Sequence, residues 1–115
     1  MVDVSDEAFE EMVNDALDMI PDEFARELRN VAIQVVDYNE EHPSYLGLYV
    51  GVALPERTHH HSGFLPDAIF IYRESLKRYA HSEEDLREQV KVTVFHEVGH
   101  YFGLEEEDLE RLGWG

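Results

Sequence analysis

The stretch Val92-Thr93-Val94-Phe95-His96-Glu97-Val98-Gly99-His100-Tyr101-Phe102-Gly103 decides the fold of this chain. At 3.6 residues per turn, His96 and His100 stand one turn apart on the same face of a helix, so both imidazoles reach one ion at the ~2.0–2.1 Å that zinc requires. Glu97 projects about 100° from His96 and about 60° from His100 around the axis. A carboxylate there sits beside the ion without ligating it, where it can take a proton from water as a general base. Ser82 followed by Asp85 resembles a capping box and opens this helix, which runs to about Phe102 and is stopped by Gly103. Leu86, Val90, Val94, Val98, Tyr101 and Phe102 fill about half its circumference, and Val92 and Phe95 widen the apolar cover, so the helix is expected to be largely buried. Three titratable groups in a buried helix need partners, because an unpaired buried polar group costs several kcal/mol, and a shared metal ion satisfies all three. Gly99 costs ~1 kcal/mol against Ala inside a helix, which predicts that another backbone passes close by.

The competing explanation is a chance pattern of ordinary core histidines. With seven His and 17 Glu in 115 residues, composition alone yields one His-Glu-x-x-His match in roughly 6% of such chains. Requiring a glycine three residues after the second histidine lowers that below roughly one in two hundred. A metal site is the better reading.

Catalytic zinc takes a third protein ligand. After His100 only 15 residues remain, too few for the thermolysin arrangement with its glutamate on a later helix. The tighter H-E-x-x-H-x-x-G-x-x-H spacing of the metzincins turns at the glycine and takes its ligand three residues later, which here is Glu106. Asp108 is its main competitor, and the plain alternative is that Glu105 to Asp108 is a solvated helix start favoured by the macrodipole. All three methionines precede the motif, so no methionine turn can underlie the metal; Trp114 is the candidate for apolar support, or else simply closes the core. His59-His60-His61 is a second cluster, with weak metal binding or cleft lining as its active reading and an exposed loop as its ordinary one.

Upstream, Ser5 caps a helix with Asp6 and Glu7 in its first turn and Phe9, Met12, Val13, Leu17 and Ile20 at helical spacing. Pro21-Asp22-Glu23 enters a second short helix extending to about Arg29. Val31 to about Asp37 reads as a strand, followed by a polar loop from Asn39 to Pro43. Leu46–Ala53 and Ala68–Tyr72 read as further strands, and Gly47 and Gly51 in the first predict bulges or close backbone approach. Glu74–Ala80 is a short helix, and a last one covers roughly Glu106 to Leu112. The order is α+β rather than a regular βαβ alternation.

The whole chain, 43% hydrophobic and 30% charged, fits one small domain. Nine Lys plus Arg stand against 26 Asp plus Glu, a formal charge of −17. So negative a surface repels nucleic acid and anionic lipid, and no apolar run approaches the ~18–20 residues of a bilayer span. The N-terminus lacks the basic start and apolar run of a secretory signal, so a cytoplasmic location is expected. Without cysteine, a metal can be held only by His, Asp or Glu.

The chain resembles the small zincin-like metallopeptidases sometimes called mini-zincins. The likeness extends beyond the motif to Leu46-Gly47-Leu48-Tyr49, Leu54-Pro55-Glu56-Arg57, Ser62-Gly63-Phe64-Leu65-Pro66-Asp67 and Gly113-Trp114-Gly115. The resemblance implies a minimal zincin-like α+β domain, with a small mixed sheet, packed helices and the zinc-binding helix near the C-terminus. It makes His96 and His100 ligands to one zinc and Glu97 the catalytic base. The family's third ligand is an aspartate, and Glu106 occupies its place with one extra methylene. The function expected is zinc-dependent hydrolysis of peptide or protein substrates, neutral or basic given the charge. An exposed edge of Ala68–Tyr72 or Leu46–Ala53 would pair with the substrate. With so little chain after the motif the site should be shallow, which suits short peptides or a homodimer that completes the cleft. The alternative is a non-catalytic, metal-stabilised binding module.

Overall fold

Apolar residues at i, i+3, i+4 and i+7 make α1 (Asp6–Asp18) one-sided: Phe9, Met12, Val13 and Ala16 are buried, and Ser5 Oγ accepts from the Ala8 N–H at 3.1 Å to cap it. The computed structural model describes residues 1–28, 31–51 and 67–115. After α1 come α2 (Asp22–Ala25), β1 (Val31–Val36), β2 (Gly47–Val50), β3 (Asp67–Tyr72), α3 (Arg73–Tyr79), α4 (Glu83–Tyr101) and α5 (Glu106–Leu112). The α+β pattern and the boundaries of α1, β1 and the last three helices follow the sequence closely. Helix α2 is a single turn, and β2 is shorter than the run from Leu46 to Ala53, whose last two residues lie outside the described part of the chain, as does Arg29.

Among the described residues three strands form a mixed sheet in the order β1-β3-β2, with β1 parallel and β2 antiparallel to β3. Strand β3 is therefore central, which overturns the expectation that Ala68–Tyr72 offers a free edge. A strand placed between two neighbours has both sets of main-chain groups engaged. Ile69 and Ile71 on its inner face are fully buried, as a β-branched pair packed on a helix should be.

Helix α4 packs against β2 and β3 on one side and against α1 on another. Its row Leu86, Val90, Val94 and Val98, spaced at i+4, is buried throughout and shares one core with Phe9, Met12, Ile69 and Ile71. Ser82 Oγ accepts from the Asp85 N–H at 3.0 Å, but Asp85 Oδ2 accepts from the His81 N–H rather than from Ser82. The box is thus shifted outward by one residue on its return arm. Gly47 of β2 leaves no room for a side chain: a Cβ there would stand 2.7 Å from Thr93 Cγ2 and 3.2 Å from Glu97 Cγ. This close approach brings β2 against the motif-bearing face of α4.

Candidate metal centre

Helix α4 ends at Tyr101 and is closed off by Gly103, which adopts φ 79°, with the Gly103 N–H donating to His100 C=O at 3.0 Å and the Leu104 N–H to Gly99 C=O at 2.9 Å. That paired closure satisfies two terminal carbonyls and reverses the chain. Helix α5 closes in the same way at Gly113, also at φ 79°, with Gly113 N–H on Glu110 C=O at 3.1 Å and Trp114 N–H on Leu109 C=O at 2.8 Å. Two left-handed glycines in series thus fold the last residues back along α4.

The fold-back brings three donor atoms together. His96 Nε2 and His100 Nε2 are 3.1 Å apart, and Glu106 Oε1 lies 3.3 Å from each. Among the described residues, His96, His100 and Glu106 form a group whose ligand atoms all lie within 4.8 Å of one another. The extra methylene of Glu106 therefore does not prevent its carboxylate from reaching both imidazoles. Asp108 is occupied elsewhere: it accepts from the Glu105 N–H at 3.2 Å in the capping box that opens α5, and it pairs with Arg111. His59, His60 and His61 lie outside the described residues.

Gly99 has a neighbour different from the one its position suggested. A Cβ there would collide with Leu109 Cδ2, so the notch admits a side chain of α5 rather than a passing backbone. Leu109 is fully buried in it. Trp114 does more than supply apolar support. Its ring stands edge-on to Phe24 and Phe95 at 5.7 and 5.0 Å, and its carbonyl lies 3.2 Å from His96 Nδ1. With Nδ1–H donating to that carbonyl, the His96 lone pair is on Nε2, facing His100 and Glu106. Sequence reasoning missed this contact because a main-chain acceptor has no residue-type signature.

Glu97 lies on the neighbouring part of the same helix face, only 7% exposed. Burial pushes its carboxyl up to about 7; the nearby His96 opposes the rise, the Glu106 carboxylate adds to it, and a hydrogen bond from the Tyr49 main-chain N–H opposes it again. Tyr49 is in a position to donate because of the sheet register. The Tyr72 N–H donates to Leu46 C=O, so the main-chain groups of Leu46, Leu48 and Val50 face β3, and those of Gly47 and Tyr49 face outward. His96, Glu97, His100 and Glu106 line one cleft of about 740 Å³, whose other wall is β2.

Comparison with known proteins gives this arrangement a family. The sequence profile described as zincin-like metallopeptidase matches residues 28–114. The chain belongs to the zincin-like metallopeptidase family. No curated protein matches this zincin-like chain significantly. A solved structure titled as a conserved hypothetical protein from Thermo thermophilus is similar over 95% of this chain and 97% of that one, with a TM-score of 0.61 and 26% sequence identity. Zincin-like proteins bind zinc in general, and the donor set fits that ion: two imidazole nitrogens and one carboxylate oxygen, converging from two helices and leaving one side open to the cleft. No helix among the described residues is long and apolar enough to cross a membrane.

Proposed function

We propose that this chain is a zinc-dependent peptidase, a single catalytic domain in which His96, His100 and Glu106 hold one zinc and Glu97 is the general base. The observation that carries the reading is the convergence of Nε2, Nε2 and Oε1 at 3.1–3.3 Å beside a buried carboxyl in a cleft. Zinc bound there supplies Lewis acidity, polarising the scissile carbonyl and acidifying water at neutral pH. The rest of the chemistry falls to the protein. Trp114 C=O holds the His96 ring in its ligating tautomer. Glu97, buried beside the two histidines, takes the proton from the attacking water and passes it to the leaving amine. Among the described residues no strand lies beyond β2, and the outward main-chain groups of Gly47 offer an extended peptide its pairing edge, while the Tyr49 N–H steadies Glu97.

Zinc content measured beside cleavage of a diverse peptide library by wild type and Glu97→Gln tests this reading. Both proteins should hold one zinc per chain, and the variant should lose on the order of 10²–10⁴-fold in rate. A zinc-loaded wild type that cleaves nothing would instead identify a metal-stabilised binding module. Full activity in Glu97→Gln would remove Glu97 from its role.

A further inference from the structure

Tyr45, 39% exposed, and Tyr79, 57% exposed, are used by neither the core nor the metal centre. They come from different elements, the loop before β2 and the last turn of α3, yet both line the cleft that contains His96, Glu97 and His100. The loop carrying Tyr45 is braced. Asn39 Oδ1 accepts from the Glu41 and His42 N–H groups at 2.9 and 2.8 Å, and Asn39 Nδ2 donates to Tyr72 Oη at 3.0 Å. Ser75 Oγ donates to Pro43 C=O at 2.9 Å, the Tyr45 N–H donates to His42 C=O at 2.9 Å, and the His42 ring stacks on Tyr45 at 4.5 Å. Tyr45 thus stands at the cleft mouth in a preset position, which lowers the ordering cost of using it in binding.

Its distance from the chemistry follows from two independent rulers. Helix α4 runs in the same direction as β2, because Gly47 faces Thr93 and Glu97, and the Tyr49 N–H reaches Glu97. From Tyr49 back to Tyr45 is four residues, at most about 13 Å of chain, since β2 begins only at Gly47. From Glu97 back to Gln89, which lines the same end of the cleft, is eight residues of helix, about 12 Å. An extended peptide advances about 3.3 Å per residue, so this end of the cleft is three or four residues from the reacting bond.

We propose that Tyr45 and Tyr79 form a subsite for an aromatic or large apolar side chain of the substrate, three or four residues from the bond to be cleaved. The proposal rests on the reading of the cleft as a zinc peptidase site. Tyrosine suits the task, since it offers a broad apolar face at the cost of only two torsions and keeps a hydroxyl for water.

The test uses peptide hydroxamates, whose hydroxamate anchors on the metal, built from Gly and Ala with one Phe placed one to five residues away and made in both chain directions. Calorimetric Kd values are measured on the zinc-loaded protein and on its Tyr45→Ala/Tyr79→Ala variant. In one chain direction, binding should tighten about tenfold when Phe is at the third or fourth position. The variant should lose that preference while binding the Phe-free hydroxamate as well as wild type does. Hydroxamate binding that is indifferent to Phe position, or a preference that survives in the variant, overturns the subsite and leaves the metal centre standing. No hydroxamate binding at all overturns the metal-site reading and the subsite with it.

Discussion

Replacing Glu97 by Gln should stabilise the metal-free protein, and should do so only where wild-type Glu97 is forced to ionise. The carboxyl is 7% exposed and raised to about 7 by burial, against 4.5 for an ordinary glutamate. A raised carboxyl stabilises the fold while it is protonated in both states; that contribution is complete below 4.5 and is lost as pH climbs through 7. The difference of about 2.5 pKa units corresponds to about 3 kcal/mol lost by pH 8, and less than about 1 kcal/mol by pH 5. Glutamine keeps the shape and can still accept from the Tyr49 N–H, but it has no charge to desolvate. Urea unfolding of chelator-treated wild type and Glu97→Gln at pH 5 and pH 8 measures the gap at each pH; titrating groups remote from Glu97 cancel between the two proteins, and His96 and Glu106, which interact with it, are followed separately by NMR. The variant should gain about 2–3 kcal/mol on wild type between pH 5 and pH 8, roughly 1.5 M in urea midpoint for a slope near 1.5 kcal/mol per M. A gap that is constant with pH, or that favours wild type increasingly as pH rises, would refute burial as the force acting on Glu97.

Two further perturbations separate the roles around the fold-back. Gly99→Ala should cost about 1–3 kcal/mol in unfolding free energy and weaken zinc binding with it, because the new methyl displaces Leu109 and the helix that carries Glu106; a variant within ~0.5 kcal/mol of wild type would show that the notch is not filled as described. Glu106→Ala should lower zinc affinity at least tenfold in a competitive chelator titration, whereas Asp108→Ala should cost about 0.5–2 kcal/mol through loss of its cap and leave zinc affinity within twofold. The reverse ranking of the two variants in zinc affinity would make Asp108 the ligand.

Local periodicity was legible. His96 and His100 share a face because any helix places i and i+4 together, and the caps at Ser5 and Ser82 need only neighbouring N–H groups. Gly103 marks its turn by the same local logic. The partner of Gly99 was not legible, since a glycine announces that something is close without saying whether it is backbone or side chain. Nor was the strand order: β3 and β2 are both short runs of apolar residues, and nothing within either records that β3 lies between the other two described strands.

Spacing and composition, acting over a few residues, determined the two imidazoles, the adjacent carboxyl and the cysteine-free donor set. Tertiary structure alone decided that Glu106 meets the histidines while Asp108 caps α5, that Trp114 C=O orients His96, and that Tyr49 of β2 reaches Glu97. It also decided that Tyr45 and Tyr79 share that cleft. The physical reason is that these contacts join segments whose mutual position depends on packing and pairing across the core, and such non-local choices leave no period in the sequence to read.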